Sequence, residues 1–360
     1  MPSLRKHGYL PNVPLTAVLL FLSTLGLLNL YSATRVAPKG MFVSQLVWFG
    51  IGAVLLLAVA LLDQKTLRRL ALPAYVSVLG LLLFVLLFGK VVNGSRRWLG
   101  FGSFGMQPSE LAKLSLVLLG AHLFSEDTQR LVYKPWRSML AWHALWAAPV
   151  LLILKQPDLG TALLCVLVAL SLFFLVPFPS RLKLWVLTVG ASGAFLLLRF
   201  GLREYQQKRL LAFLHPELDP TGTGYHARQA LLAIGSGRWF GKGYLKGTQN
   251  QLQFLPEHWS DFPFAVWAEE WGLVGCAILL VGFLFVILWM LHLSTTCRDR
   301  FGSYLLQGIA ALLFWHAAIN VAMVVGMAPV VGVTLPFFSH GGSSVLTVAV
   351  GLGLAYNVSR

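Results

Sequence analysis

Acidic side chains are scarce in this sequence: 13 aspartates and glutamates stand against 28 lysines and arginines in 360 residues, and charges of both signs reach only 11%. Soluble globular chains carry about 25%, so that class is excluded. Cysteine is nearly absent too. Of the 3 present, Cys165 and Cys276 lie within apolar runs and Cys297 at the end of one, which argues against a disulfide framework or a cysteine metal cluster. No convincing internal repeat recurs, which weakens an inverted-repeat transporter. No stretch outside the apolar runs is long enough to bury a core of its own, so residues 1–360 read as a single membrane domain.

What the sequence has is hydrocarbon: 57% hydrophobic residues and a mean hydropathy of +0.73. Apolar runs of about 20 residues recur along the chain, the length a helix needs to cross a bilayer core of roughly 30 Å. They lie at about 13–32, 42–62, 71–89, 108–124, 139–154, 159–177, 184–200, 263–291, 304–326 and 341–358. The alternation expected of a membrane β-barrel is missing. The fold class is therefore an all-α polytopic membrane protein of about ten transmembrane helices. The first run is too long for a signal-peptide core and is followed by more spans, so it is read as retained.

Orientation follows from basic residues in the short connections. Arg5, Lys6, Lys65, Arg68, Arg69, Arg130, Lys134, Arg137, Arg181, Lys183, Arg298, Arg300 and Arg360 fall on one side; Arg35, Lys39, Lys90, Arg96, Arg97 and Lys155 fall on the other. The longer set marks the cytoplasm, so both termini are cytoplasmic. The large loop between helices 7 and 8, about 201–262, is then extracytoplasmic. The formal charge of +15 does not require nucleic acid, because topology accounts for much of it. Seven more, Arg203, Lys208, Arg209, Arg228, Arg238, Lys242 and Lys246, lie in that loop and suit an anionic lipid headgroup or a phosphorylated substrate. Within it, "HARQALLAIGSG" has a short apolar stripe that glycines can end as a helix.

Ionisable residues within apolar runs are costly and are functional hypotheses by default. Glu110 and Lys113, three apart, share a helix face and can pair; the pair is either functional or a structural lock between helices. Pro108 and Ser109 mark the start of their helix. Asp158, after Pro157, is a site acid or a helix cap. Glu269 and Glu270, being adjacent, point to different faces. Arg199 reads as snorkelling to the interface. Asp261, in "SDFP", stands outside the apolar run beside a basic loop, where a carboxylate can act as a general base, hold a divalent ion or cap the next helix. His340 lies in a proline- and glycine-broken stretch, 326–344, of the kind tolerated at membrane depth when buried or lining a wet cavity.

The motifs "RRWLGFGSFGMQPSELAKL", "QPDLGTA", "AIGSGRWFGKGYLKGTQNQLQFLPE", "SDFPFAVWAEEWG" and "GVTLPFFSHGGSS", in this order, resemble the shape, elongation, division and sporulation (SEDS) family of peptidoglycan polymerases over nearly the whole chain. The short tails resemble its elongation branch. The resemblance implies a glycosyltransferase that polymerises lipid II at the outer face of the bacterial cytoplasmic membrane. The partners it implies are a class B penicillin-binding protein with transpeptidase activity and other elongation-complex proteins. It places the essential loop aspartate on Asp261, the intramembrane pair on Glu110 and Lys113, the "QPD" acid on Asp158, and the arginine pair with its tryptophan on Arg96, Arg97 and Trp98. Where the family commonly reads His-Thr-Asp-Phe this chain reads Trp-Ser-Asp-Phe at 259–262; His258 is displaced by one, so no role carries over to it.

The chemistry expected is inverting transfer, with Asp261 as base for a sugar 4-hydroxyl. Diphosphate or substrate contacts fall to Arg96, Arg97, Trp98, Lys113, Asp158, Lys242 and Lys246. Glu110, Glu269 and Glu270 are assigned structural or coupling roles. A divalent cation, magnesium or manganese, on Asp261 or Asp158 and no organic cofactor are expected. The rival readings are a lipid II flippase, which predicts essential charges along a path to the cytoplasm, and a scaffold for the partner synthase.

Overall fold

The computed structural model describes residues 12–35, 40–92, 95–101, 104–126, 134–201, 204–219, 222–252, 254, 255 and 258–359. Arg5, Lys6, Lys39, Arg130, Arg203 and Arg360, which entered the topology reading, lie outside them. The long helices are α1 (Val13–Ala33), α2 (Met41–Ala60), α3 (Gln64–Phe88), α4 (Pro108–Glu126), α5 (Pro135–Lys155), α6 (Leu159–Leu175) and α7 (Ser180–Leu196). The segment 201–262 folds into α8 (Glu204–Leu214), α9 (Thr223–Gly237) and the single turn α10 (Thr248–Gln251), and α11 (Pro263–Thr296), α12 (Arg300–Val324) and α13 (Gly342–Ser359) follow. Among the described residues, seven helices are long and apolar enough to cross a membrane: α1, α2, α3, α5, α11, α12 and α13. The apolar runs assigned to α4, α6 and α7 coincide with helices as well.

The helices start where local chemistry provides for their free N–H groups. Asn12 caps α1, Asp158 caps α6 by accepting from Thr161 N at 3.2 Å, and prolines open α4, α5 and α11. Helix α4 is buried on almost every face, from Pro108 to Ala121, among α3, α5, α6, α12 and α13. Its neighbours approach closely because small residues face it: a Cβ on Gly308 of α12 would strike the Val117 side chain, and one on Gly120 would strike Trp142. The outer faces of α2, α3 and α7 instead expose leucine, valine and phenylalanine, as lipid-facing surfaces do.

One feature escaped the sequence reading. A small antiparallel sheet, β1 (Lys90–Val92), β2 (Ser95–Phe101) and β3 (Phe104–Met106), joins α3 to α4. Adjacent strand residues point to opposite faces. Arg96 is accordingly exposed, while Arg97 is half-buried.

Helix α11 is broken. Its 34 residues would extend about 51 Å as one straight helix, well beyond a bilayer core. At Gly272 the backbone leaves helical geometry with φ +64°. The loop 237–243 fills the break: Lys242 N and Gly243 N donate to the carbonyls of Glu269 and Glu270 (both 3.0 Å), while Leu273 N and Val274 N donate to Arg238 O (2.9 Å) and Trp239 O (3.1 Å). Both free helix ends are thereby satisfied by one loop, as buried backbone requires. Residues 263–270 are wholly buried.

Gly272→Ala is expected to destabilise the protein by about 1–3 kcal/mol from the left-handed backbone alone. Its Cβ would also collide with the backbone of Phe240 and Gly241. A lower unfolding midpoint and yield in detergent, measured by fluorescence-detected size exclusion, would register it; an unchanged midpoint would refute the account.

Candidate functional site

Short connections make successive helices antiparallel, so the N-termini of α4, α6, α11 and α13 gather at the end of the bundle that carries residues 201–262. Hydrogen bonds tie these ends together. The Asp158 carboxylate, 5% exposed, accepts from Gln107 Nε2 (2.6 Å) and Ser109 Oγ (3.4 Å) at the start of α4 while capping α6. Gln107 N in turn donates to Ser343 Oγ of α13 at 3.0 Å. Arg97 of β2 approaches Asp158 Oδ1 to 3.9 Å. Helix N-termini carry about half a positive charge each, and a guanidinium adds to it. This end of the molecule therefore favours anions.

Deeper along α4, Lys113 is fully buried and lies 2.7 Å from Glu110 Oε1. Its ammonium also meets His316 Nε2 of α12 at 2.8 Å. The lysine therefore bridges α4 to α12 and does not open onto the surface. His316 reaches Thr334 O at 2.9 Å, and Thr334 Oγ1 pairs with Ser344 Oγ at 2.8 Å.

Asp261 lies in the turn that enters α11 and is partly exposed. Asn320 of α12 bonds its carbonyl at 3.1 Å, and the neighbouring Trp259 O accepts from His340 N at 2.7 Å. His258 is buried, with Nε2 2.8 Å from Ala33 O at the end of α1; its ring lies against the α1 terminus. Among the described residues no three His, Cys, Asp or Glu side chains group closely enough to hold a metal ion.

The remaining sequence candidates sit at the Gly272 break. Glu269, with no exposed surface, receives Lys242 Nζ (2.6 Å), Thr248 N (2.9 Å), Thr248 Oγ1 (3.0 Å) and Gln249 N (3.2 Å). Glu270 receives Ser32 Oγ of α1 at 2.5 Å. These two acids staple the loop and α1 to the broken helix, in keeping with their different faces. Lys242 is engaged by Glu269 and Thr248, whereas Lys246 is exposed. Trp98 lies across Gly105 of β3, where a Cβ would come within 3.2 Å of its ring. Arg199 is exposed, its guanidinium over the Phe200 ring.

Sequence reasoning missed His316, Asn320, Gln107 and Ser343. A signal existed for the first two: they stand four apart in the apolar run of α12, on one helix face.

Over residues 13–360 the chain matches the sequence model of the FtsW/RodA/SpoVE cell cycle proteins. The chain belongs to this family. Among family members, it is 36% identical over 341 residues to the peptidoglycan glycosyltransferase MrdB of Escherichia coli K12, covering 95% of this chain and 91% of that one. It is 31% identical over 425 residues to the peptidoglycan glycosyltransferase RodA of Treponema pallidum, covering 96% of each. A solved peptidoglycan synthase complex, described as coordinating polymerization and crosslinking, contains a chain with TM-score 0.83 and 31% identity, covering 98% of both. The rod shape determining protein RodA of Thermus thermophilus superposes with TM-score 0.73 at 31% identity, covering 99% of this chain and 98% of that one.

Removing one partner of a buried ion pair strands the other's charge, at about 3–5 kcal/mol. Lys113→Met should therefore lower stability by about that much, and adding Glu110→Gln should restore part of it. Unfolding midpoints of the two single variants and the double variant in detergent test this coupling; additive losses would refute it.

Proposed function

We propose that this chain is a peptidoglycan glycosyltransferase that polymerises lipid II into glycan strands during cell elongation, working with a class B penicillin-binding protein that crosslinks them. The observation that carries the proposal is the anion-favouring end of the bundle, where Asp261 and Asp158 stand at the convergent starts of helices and Arg97 of β2 approaches Asp158. It occurs in a chain 36% identical over 341 residues to a protein named for this activity. The proposal includes about ten membrane crossings, cytoplasmic termini and the 201–262 segment outside the cytoplasmic membrane, where the lipid-linked sugars are presented.

Asp261 is the proposed general base. The acceptor is a sugar 4-hydroxyl whose pKa lies far above neutrality, so it is a weak nucleophile unless its proton is accepted during attack. The Asp261 carboxylate takes that proton as the hydroxyl oxygen bonds to the anomeric carbon of the donor. The anomeric carbon's bond to the diphosphate breaks, and undecaprenyl diphosphate leaves with the bonding electrons. Attack opposite the leaving group inverts an α-linked donor to a β-linked product, without a covalent enzyme intermediate. Charge growing on the diphosphate meets the Arg97 guanidinium and the helix N-termini. Arg96 and the exposed Lys246 act at longer range. Asp158 orients Arg97 and Gln107, and Trp98 braces β3 at Gly105.

A divalent cation, magnesium or manganese, belongs to the proposal. Magnesium commonly binds through one or two carboxylates plus substrate phosphates, so Asp261 with the substrate's diphosphate fits better than a dedicated protein cage. When bound, the ion neutralises charge on the leaving diphosphate.

A flippase would need buried charges spaced across the membrane. Among the described residues, the buried charged side chains are Glu110, Lys113, Asp158, Glu269 and Glu270. All belong to the first two turns or the N-caps of helices starting at the 201–262 end or to the α11 break, which supports chemistry at one face.

Asp261→Ala should abolish strand formation from lipid II by purified protein with its penicillin-binding partner, while unfolding and membrane insertion stay as in wild type. Arg97→Ala should leave slow polymerisation, and chelation by EDTA should stop it. An active Asp261→Ala protein would refute the assignment. Lipid II scrambling in liposomes without polymerisation would favour the flippase.

A further inference from the structure

His316 and Asn320 take no part in the chemistry above, yet both are buried, at 2% and 0% exposure, in a helix whose other buried positions are largely apolar. A polar side chain so placed costs free energy unless fully bonded, and bonded polar networks fix geometry more than they add stability. What these two bond is informative. The Asn320 amide nitrogen has two hydrogens, and it reaches Val333 O at 2.7 Å and Asp261 O at 3.1 Å. One side chain thus joins the turn that carries Asp261 to the irregular segment between α12 and α13.

His316, one turn earlier, grips the same segment. Its Nδ1 lies 2.9 Å from Thr334 O and its Nε2 lies 2.8 Å from Lys113 Nζ. An ammonium only donates, so Nε2 accepts and the ring proton sits on Nδ1, donated to Thr334 O. The buried Lys113 thereby selects the tautomer that holds residue 334.

Immediately before the two gripped residues lies Gly332, with φ +72°. A Cβ built there would stand 3.6 Å from Asp261 Oδ2. The carboxylate therefore rests beside bare backbone in the segment that His316 and Asn320 hold. His340 N, bonded to Trp259 O at 2.7 Å, ties the Asp261 turn to the far end of the same segment.

We infer that Asn320 and His316 are positioning residues for Asp261: they fix its carboxylate beside Gly332 and couple that placement to the Lys113–Glu110 pair. The inference rests on the role proposed for Asp261. Without Asn320 the Asp261 carbonyl and residue 333 lose their common donor, and the carboxylate is no longer held at one distance from the acceptor hydroxyl. Substrate contacts from the β2 arginine and the helix ends are untouched, so the turnover step suffers and binding does not.

The test uses full-length protein with its penicillin-binding partner, lipid II and magnesium. Asn320→Ala and His316→Ala are expected to lower kcat about tenfold or more, with KM for lipid II held within about twofold. Phe314→Ala, on an exposed face of α12, should match wild type. Hydrogen–deuterium exchange by mass spectrometry should show faster amide exchange over 258–264 and 331–335 in the Asn320 variant, with α2 and α3 unchanged. Should Asn320→Ala fail to fold, Gly332→Ala probes the same contact from the other side and should give the same split between kcat and KM. Unchanged kcat, a rise in KM alone, or unchanged exchange in those two segments would overturn the inference. An active Asp261→Ala protein would overturn the functional reading itself, and the exchange comparison would still decide whether Asn320 holds the Asp261 turn.

Discussion

The buried Lys113 ammonium is the interaction on which the arrangement around it depends. A charge with no exposed surface at this depth must be neutralised and hydrogen-bonded within the protein. Glu110, one turn before it, supplies the counter-charge, and His316 supplies a second acceptor from another helix. Because the lysine claims one nitrogen of His316, the other is committed to Thr334 O. Thr334 then meets Ser344 at the start of α13. One expensive charge thus aligns α4, α12, α13 and the irregular segment beside Asp261.

The same scarcity of water governs the break in α11. A helix interrupted in a buried part of the bundle frees carbonyls on one side and N–H groups on the other, and apolar side chains can satisfy neither. The chain answers with a glycine-rich loop, 237–243, whose backbone bonds both ends at once. Glu269 and Glu270 then fasten what the loop brings in, one through Lys242 and α10, the other through Ser32 of α1. Asp261 can therefore sit at the start of a short, rigid, wholly buried half-helix. Acid is scarce in this sequence, and Glu269 and Glu270 are both engaged in holding the broken helix to its neighbours.

Much of this was legible in the residues. The ten apolar runs lie on helices because a predominantly apolar stretch of about 20 residues has few other uses. The spacing of Glu110 and Lys113 brought them to one helix face, and α9 follows from its apolar stripe and terminal glycines. Less visible was the sheet of 90–106, whose strands are short and glycine-broken, so the Arg96–Arg97 pair read as a unit when a strand sends the two to opposite faces. Lys242 looked like a free loop cation; its partner, Glu269, is distant in sequence and only packing brings them together.

The sequence by itself determined that this is a polytopic helical membrane protein of a recognisable family, with Asp261 at a loop-to-helix entry. Those properties depend on composition, periodicity and neighbouring residues, which are local. Only the tertiary structure decided which polar groups meet: Asp158 with Gln107 and Arg97, Lys113 with His316, Asn320 with the main chain of Asp261. Each of these contacts joins residues from different elements of the fold. Tertiary packing sets them, because in a dry interior buried polar groups are largely satisfied by whatever partners the fold brings close.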